Sequence, residues 1–151
     1  MDRLIEQAFG PGRFAKTAER LRETAAQRME LSICAWSDET LLGAVRLWSI
    51  RIGEAPALFL GPIEVRPDHR RQGLAAALTE QACEAGRLAG ERIVLLVGDL
   101  PIFASQGFEP TPSGRVTLPG PVDPRRVLWR GLAPGALELA GGLVSGLKLK
   151  T

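Results

Sequence analysis

The sequence has few of the side chains that most often carry acid–base, metal or redox chemistry. Its 151 residues include no tyrosine, one histidine and two cysteines. A metal site would need further ligands at a regular spacing from His69, and the sequence offers none, so we expect no metal and place His69 on the surface or beside a phosphate. Cys34 and Cys83 lack the spacing of a paired motif. We therefore expect buried free thiols, which are typical of the reducing cytoplasm.

The sequence also lacks a long apolar segment and a strong excess of either charge. Its most apolar region, residues 132–147, contains one proline, one glutamate and four glycines, and is too short and too interrupted to span a bilayer. Residues 1–7 are charged and no apolar core follows, so we expect no signal peptide. The net charge of +2 does not indicate a nucleic-acid binder. We expect a cytoplasmic protein that binds neither membranes nor nucleic acid.

The composition is that of one ordinary globular domain. Hydrophobic residues make up 45% of the chain and charged residues 24%, without repeats or low-complexity segments. A chain of this length can bury one core but not two, so we expect residues 1–151 to form a single domain. The motifs G-x-x-x-x-G-K-[ST] and strand-linked G-x-G-x-x-G are absent, which argues against the common nucleotide-binding domains.

The most informative stretch runs over residues 57–99, where the pattern predicts a strand, a charged turn, a helix and a second strand. Ala57–Val65 is an apolar run typical of a strand that is covered on both faces. Pro62 has no N–H to donate, so we expect an interruption or a bulge there. Gly90 is placed to cap the C-terminus of the helix. The apolar face of the helix is formed by Leu74, Leu78, Ala82 and Ala85.

The turn before this helix has the chemistry of a phosphate site. The first turn of a helix leaves N–H groups without partners and carries the positive end of the helix dipole. Gly73 and Ala75 have almost no side chain, so a pyrophosphate can approach the backbone closely. Arg70 and Arg71 add charge and bidentate donors. Many α/β proteins share such a turn, so the surrounding sequence must decide whether it binds phosphate.

The spacing Val65-x-Pro67-x-x-Arg70-x-x-Gly73-x-Ala75 resembles the acyl-CoA-binding motif of the GNAT (GCN5-related) N-acetyltransferase family. The run LGAV at 42–45 is similar to the family's central-strand segment, and PIFASQGF at 101–108 is similar to its P-Y-Y-x-x-x-G-F segment. The likeness covers about residues 4–140 in the same order, and it is strongest to the YhbS-like branch of the family. It is specific for the fold and the acyl donor, and it does not identify the acceptor.

The resemblance implies the α/β class and the GNAT acyl-CoA N-acyltransferase fold, a twisted mixed sheet with helices on both faces. In that fold the strands that match Ala57–Val65 and Arg92–Val97 start side by side and then splay apart. Residues 132–151 are similar to the C-terminal extension of the branch. The implied reaction is direct acetyl transfer from acetyl-CoA, a cosubstrate, to an amine of a small molecule or peptide. This reaction requires no metal. The resemblance is also compatible with a homodimer.

The resemblance also implies where acetyl-CoA binds. The pantetheine arm would enter the gap between the two strands and hydrogen-bond to the backbone, as an added strand does. A freed backbone N–H there would polarise the thioester carbonyl. The implied cofactor-binding residues are Ile63 and Val65 for the arm, Arg70, Arg71, Gln72, Gly73, Leu74 and Ala75 for the pyrophosphate, and Phe103 near the thioester.

Two positions depart from the family pattern. Phe103 stands where relatives commonly have a tyrosine that protonates the leaving thiolate. Here the thiolate either leaves without a proton donor, or takes its proton from water or from Ser105. Glu64 is the only carboxylate on the first central strand; it is either a general base with a raised pKa, or it pairs with an arginine or faces solvent. The alternative function is a catalytically degenerate acyl-CoA-binding domain that acts as a sensor or through a partner.

The remaining elements follow from the periodicity of apolar residues. We predict helices over residues 2–9, Phe14–Arg28 and Ile102–Gln106, a hairpin of Leu31–Trp36 and Leu41–Ile50, a strand beginning at Phe108, a strand over Arg115–Leu118 and a last sheet strand over Arg126–Gly131.

Five further side chains have two readings each. Arg13, Lys16 and Arg20 follow one another at helical spacing, and they either meet an anionic acceptor or form a solvated helix face. Trp48 either packs across strands or lines the acceptor pocket. Asp99 ends the second central strand, where it either caps the short helix that follows or contacts the acceptor amine.

Overall fold

The computed structural model of the chain describes residues 13–68 and 73–147, with side chains from residue 17 onward. The helix predicted over residues 2–9 lies outside these ranges. The described α-helices are α1 (Arg13–Glu23), α2 (Leu74–Leu88) and α3 (Leu100–Phe103), and short 3-10 helices cover Met29–Leu31, Ala104–Gln106 and Pro124–Arg126. The described strands are β1 (Ala26–Gln27), β2 (Ile33–Ser37), β3 (Thr40–Ile52), β4 (Ala55–Val65), β5 (Ile93–Val97), β6 (Glu109–Pro110), β7 (Val116–Thr117), β8 (Val127–Gly131) and β9 (Gly142–Gly146).

The strands form one mixed sheet in the order β6-β8-β5-β4-β3-β9-β7. The pairs β4–β5 and β7–β9 are parallel, and the other pairs are antiparallel. The long strand β3 pairs with β4 along one edge, while β2, β1 and β9 share its other edge in turn. Helices cover both faces of this sheet, which confirms the predicted α/β class and mixed-sheet architecture.

Each face of the sheet carries its own buried core. The core under α2, here called the α2 face, includes Leu47, Leu58, Leu60, Ile63, Leu78, Val94 and Leu96. The core under α1, here called the α1 face, includes Leu21, Ile50, Phe59, Leu95, Trp129 and Val144. Residues of β4 alternate between the two cores because successive side chains of a strand point to opposite faces. Apart from Glu64, the buried side chains of the strand are therefore apolar, as predicted for a strand covered on both sides.

A bulge interrupts β4 at Gly61 and Pro62. Leu47 of β3 is opposite Leu60, but Val45, two residues earlier, is opposite Ile63, so β4 has one residue more than its partner. The Gly61–Pro62 peptide is cis, and Gly61 has a φ of 144°, which a side chain rarely allows. The interruption predicted from Pro62 is thus confirmed.

The helix α2 has the capping and the buried face that its sequence predicts. Leu78 and Ala82 are buried in the α2 face, and Leu74 packs against it. Gly73 precedes the helix with a left-handed φ of 72°, and Gly90 follows it with a φ of 89°. Left-handed backbone at both ends explains why glycine stands at these two positions.

Four local expectations are wrong. The helix predicted over Phe14–Arg28 ends at Glu23, because β1 instead pairs with β3. Cys34 is exposed, since it lies on the outer surface of β2, whereas Cys83 is buried as expected. Asp99 makes no side-chain cap to α3; its carboxylate pairs with Arg126, with 3.1 Å between Oδ1 and Nε. β8 is not the last sheet strand.

The last strand is β9, which lies in the segment predicted as an extension. It pairs with β3 at Ile50–Ile52. Ala136, Ala140 and Val144 of this segment are buried in the α1 face. The segment therefore contributes to the core of the fold. Within the described residues, no helix combines the length and apolar character needed to cross a membrane.

The two neighbouring residues Val144 and Leu143 test whether β9 stabilises the fold. Val144 is 1% exposed and Leu143 is 58% exposed. We expect Val144→Ala to lower the free energy of unfolding by about 1–3 kcal/mol, because it removes buried methyl groups and leaves a cavity. Leu143→Ala, the matched control, should change it by less than about 0.5 kcal/mol. Urea denaturation measures both, and equal effects would contradict a core role for β9.

Candidate active site

The candidate site is centred on a gap between β4 and β5. These parallel strands pair at only two residues each, Leu58 and Phe59 with Val94 and Leu95. β4 continues to Val65, and beyond Phe59 it keeps its pairing with β3. Among the described residues, β5 does not cover this last part of β4. The predicted splaying of the two central strands is present.

The backbone amides of Ile63 and Val65 lie on the edge of β4 that borders this gap. On the opposite edge, the N–H of Arg66 donates to the carbonyl of Leu42, 2.8 Å away. Successive residues of an antiparallel strand turn their amides to alternate edges, so Arg66 faces β3 while the amides of Ile63 and Val65 face the gap. An extended ligand in the gap can hydrogen-bond to amides in this orientation.

The first turn of α2 lies beside the same end of β4, on the α2 face. A Cβ added to Gly43, at the end of the β3–β4 ladder, would lie 3.0 Å from Cδ1 of Leu78 and 3.3 Å from Cδ2 of Leu74. Glycine at position 43 therefore allows α2 to pack closely against β3. The N–H of Ala77 donates to the carbonyl of Gly73 at 3.0 Å. A helix that starts in this way leaves its first amides without intrahelical acceptors and attracts anions.

The predicted phosphate ligands are only partly described. Gly73 is exposed, and among the described residues a Cβ placed on it would meet nothing within 4 Å. Leu74 and Ala75 are half-buried at the first turn. Arg70, Arg71 and Gln72, together with His69, lie outside the described residues, and their roles stay predictions.

Phe103 lies on the β5 side of the gap. Its side chain is 4% exposed and belongs to the α2 face. A Cβ on Gly98, which follows β5, would lie 2.6 Å from Cε2 of Phe103, so only glycine leaves room for the ring. The ring also meets that of Phe108 edge to face, with 6.0 Å between their centres. Ser105, the side chain considered as a proton donor in place of tyrosine, is exposed. Its Oγ accepts a hydrogen bond from Nε2 of Gln106 at 2.9 Å.

Trp48 hydrogen-bonds to the bulge of β4 from the α1 face. Its indole Nε1–H donates to the carbonyl of Gly61, with 2.6 Å between the two atoms. Trp48 also packs against the core of the α1 face and is opposite Phe59 in the ladder. This hydrogen bond satisfies a buried carbonyl that the irregular strand would otherwise leave without its ladder partner.

Three charged side chains lie on the α1 face near the bulge. Glu64 is 4% exposed, whereas Arg22 and Arg46 are half-buried. Burial lowers the pKa of the Arg22 guanidinium, the charge of Glu19 raises it, the charge of Arg46 lowers it and the charge of Glu64 raises it. The α1 helix thus brings Arg22 within electrostatic reach of both Arg46 and Glu64.

A cavity of about 550 Å³ is lined by the segment that runs from β6 to the start of β8. Its walls come from residues 110–127 and combine prolines with the hydroxyls of Thr111, Ser113 and Thr117. α1 fixes one side of this segment, since Oγ1 of Thr17 donates to the carbonyl of Pro121 at 2.6 Å. The cavity therefore belongs to the same side of the sheet as α1.

The described residues offer no obvious metal site and no activated thiol. They contain no group of three histidine, cysteine, aspartate or glutamate side chains placed to hold an ion. Burial raises the pKa of the Cys83 thiol to about 11, so it is protonated at neutral pH. A buried, protonated thiol of this kind is not an activated nucleophile.

Comparison with protein families identifies the chain. The profile of the acetyltransferase (GNAT) family matches residues 1–108. The chain belongs to the GNAT family. This match covers β4, α2, β5 and α3, the elements that form the gap and the phosphate turn. A comparison with curated protein sequences finds no significant match.

Solved structures share the fold of this GNAT protein. One is the GNAT family N-acetyltransferase YhbS from Escherichia coli in complex with CoA, with a TM-score of 0.71 at 23% identity over 97% of this chain and 82% of that one. A GNAT family acetyltransferase from Brucella melitensis in complex with acetyl-CoA has a TM-score of 0.56 at 26% identity, over 83% and 84% of the two chains. The NatC complex bound to Gag peptide and CoA gives 0.60 at 14% identity, over 87% of each chain.

Sequence reasoning on this GNAT chain predicted the gap, which is present, and a phosphate turn, whose role stays a prediction, but it missed part of the opposite face. Arg46 is flanked by apolar residues in β3. A charged residue in such a buried stretch could have indicated a functional side chain. Arg22 had no such signal, because charged residues surround it in the sequence. Arg20, which was considered instead, is exposed, and the side chains of Arg13 and Lys16 are not described.

Replacing Trp48 tests how much the hydrogen bond to the bulge stabilises the site. We expect Trp48→Phe to keep most of the packing but to leave the Gly61 carbonyl without its donor, lowering the free energy of unfolding by about 1–3 kcal/mol. Trp36→Phe is the matched control, because Trp36 is 60% exposed, and its effect should stay below about 0.5 kcal/mol. Chemical denaturation followed by circular dichroism measures both, and equal effects would show that the hydrogen bond adds no stability.

Proposed function

We propose that this GNAT acetyltransferase transfers the acetyl group of acetyl-CoA directly to a primary amine of a small molecule or peptide, and that the amine approaches from the α1 face. The observation that carries this proposal is the gap: β4 and β5 pair at two residues and then separate. A gap of this kind connects the two faces of the sheet. The acyl donor can therefore bind on one face and react on the other.

The two sides of the gap suit the two ends of acetyl-CoA. The start of α2 lies on the α2 face and is suited to the pyrophosphate, with Arg70 and Arg71 as further ligands. The pantetheine arm would follow the amides of Ile63 and Val65 through the gap. The thioester would then reach the region of the bulge, where Glu64 lies on the far face.

The proposed reaction is nucleophilic attack of the neutral amine on the thioester carbonyl. The N–C bond forms, the C–S bond breaks, and an amide N–H of β4 stabilises the oxyanion that develops on the carbonyl. Before the attack, Glu64 would take the proton of the substrate's ammonium group, directly or through one water, and so leave the amine neutral. The proton that the nitrogen loses when the amide forms would pass to solvent. Phe103 has no proton to give, so the CoA thiolate would take its proton from solvent or through Ser105. Positioning in the gap would supply much of the rate acceleration.

We also propose that residues 1–151 act as one domain in the cytoplasm. The packing of Ala136, Ala140 and Val144 in the same core as α1 supports a single unit. The two free cysteines suit a reducing compartment. A homodimer stays a prediction, with the exposed Trp36 as a candidate contact.

Turnover with a panel of amines tests the proposed function. We expect acetyl-CoA to raise the melting temperature, because saturation at 100 times Kd adds about 2.7 kcal/mol to the stability of the native state. Addition of the right primary amine should then release the CoA thiol, measured with a thiol reagent after removal of the protein. Stabilisation by acetyl-CoA without thiol release from any amine would instead favour the acyl-CoA-binding domain.

Replacing Glu64 tests its role as the base. We expect Glu64→Gln to lower kcat by about 10²- to 10⁴-fold, since the amide cannot accept the ammonium proton, while the Kd for acetyl-CoA stays unchanged. Glu54→Gln is the matched control, because Glu54 is exposed in the turn between β3 and β4. Steady-state kinetics and isothermal calorimetry give the two quantities. Unchanged turnover in Glu64→Gln would show that another group accepts the proton.

A further inference from the structure

The cavity beside β6 and β8 is not used by any step of the proposed acetyl transfer. Its volume is about 550 Å³, and its walls combine prolines and aliphatic side chains with three hydroxyl groups. Small-molecule sites in proteins commonly measure about 300–1,000 Å³ and are mostly apolar with a few polar groups. The cavity therefore has the size and the lining of a site for a small molecule.

This cavity lies at the same end of the sheet as Glu64. Val127, the first residue of β8, is opposite Val97, the last residue of β5. The chain that leads into β8 continues past the end of β5, since the N–H of Gly98 donates to the carbonyl of Arg126 at 2.9 Å. Because β4 and β5 are parallel, that end of β5 is also the end at which β4 carries Glu64.

The cavity and Glu64 also share one face of the sheet. Leu118 and Val127 of the cavity wall belong to the core of the α1 face, and Val116 and Val122 pack against that core. In the sheet, β8 is two strands away from β4, a spacing of about 10 Å. An elongated molecule of about that length can place its amine beside Glu64 and its other end in the cavity.

The charged groups in and around the described walls are already paired. Arg125 is the one charged residue among those that line the cavity, and its side chain donates twice to the carboxylate of Asp123, at 3.2 and 3.0 Å. Arg115 donates to three main-chain carbonyls of the C-terminal segment, and Arg126 pairs with Asp99. Because an ionised group that loses water without gaining a partner is costly to bury, these walls favour an uncharged ligand.

Local contacts hold the walls in place before any ligand arrives. Oγ1 of Thr17 donates to the carbonyl of Pro121 at 2.6 Å, and Oδ1 of Asp123 accepts from the N–H of Arg125 at 3.0 Å. The prolines of the lining have a fixed φ. A site whose walls are already ordered loses less conformational entropy when it binds a ligand.

We propose that the acceptor is an elongated primary amine whose remote part is uncharged and largely apolar, and that the cavity binds this remote part while the amine lies beside Glu64. The proposal rests on the proposed function, because it names the class of amine that the same site acetylates. It excludes acceptors that carry a second charge at the end remote from the reacting nitrogen.

Four amines that differ in length and in remote charge test this proposal. The kcat/KM for octylamine should exceed that for ethylamine by about 10²- to 10³-fold, because each buried methylene contributes about a threefold gain. The values for 8-aminooctanoate and 1,8-diaminooctane should be at least about 10-fold below that for octylamine, since their remote charges find no partner in the cavity. Equal values for octylamine and ethylamine, or a preference for either charged amine, would overturn the proposal.

Variants of the cavity wall should change this preference in opposite ways. Val122→Asp should raise kcat/KM for 1,8-diaminooctane relative to octylamine by about 10-fold or more, because the new carboxylate can pair with the remote ammonium group. Thr111→Phe adds volume without charge and should shift the preference toward shorter amines. Leu143→Asp is the matched control, since Leu143 is exposed on β9 outside the lining, and it should keep the wild-type preference.

The Kd for acetyl-CoA, measured for every variant, shows whether the fold and the donor site are intact. With that Kd unchanged, an unaltered preference in both Val122→Asp and Thr111→Phe would contradict binding in the cavity. An equal change of preference in Leu143→Asp would contradict it as well. If Val122→Asp does not fold, Thr111→Phe decides the outcome.

Binding of an acetylated amine distinguishes failure of this proposal from failure of the proposed function. If no amine releases the CoA thiol, transfer to an amine is wrong, yet calorimetry can still compare N-octylacetamide with N-ethylacetamide on the CoA complex. Tighter binding of N-octylacetamide, weakened by Val122→Asp and unchanged by Leu143→Asp, would support the cavity as a site for an uncharged apolar chain. Equal binding of the two amides, or binding of neither, would overturn it.

Discussion

The bulge at Gly61 and Pro62 is the constraint on which the rest of the site depends. Before it, β4 pairs with both β3 and β5; after it, β4 keeps only β3. One extra residue also reverses which side chains face which core, because the side-chain period of a strand is two. Ile63 and Val65 therefore pack on the α2 face, and Glu64 is turned to the α1 face. The same irregularity leaves amides at the gap and brings the carboxylate next to it.

The two buried cores allow the two faces to differ in chemistry. The α2 face offers a helix start after the exposed Gly73 and an apolar ring at Phe103, and the proposed function places the phosphorylated carrier there. The α1 face carries three charged side chains that are buried or half-buried, Arg22, Arg46 and Glu64. In the proposed function the sheet therefore separates the acyl donor from the acceptor, so the two would not compete for one set of charges.

Much of the donor side could be predicted from the sequence because its signals are local. An apolar run, a proline without an N–H and a helix framed by two glycines act over a few residues, and the structure contains all three. The errors concern features that depend on distant partners. β9 pairs with β3 across about ninety residues of chain, and its glycine ends carry no strand signal. β1 interrupts a helical pattern for the same reason, since pairing with β3 outweighs a weak local propensity.

The sequence by itself determined the elements around the phosphate turn and the place where β4 is irregular, because backbone chemistry at proline and glycine acts on its immediate neighbours. Only the tertiary structure decided that the pairing of β4 with β5 stops at Phe59 and Leu95, that Trp48 donates to the Gly61 carbonyl and that α1 places Arg22 within electrostatic reach of Arg46 and Glu64. These contacts join residues far apart in the chain. Their formation depends on packing across the whole sheet, which no local pattern encodes.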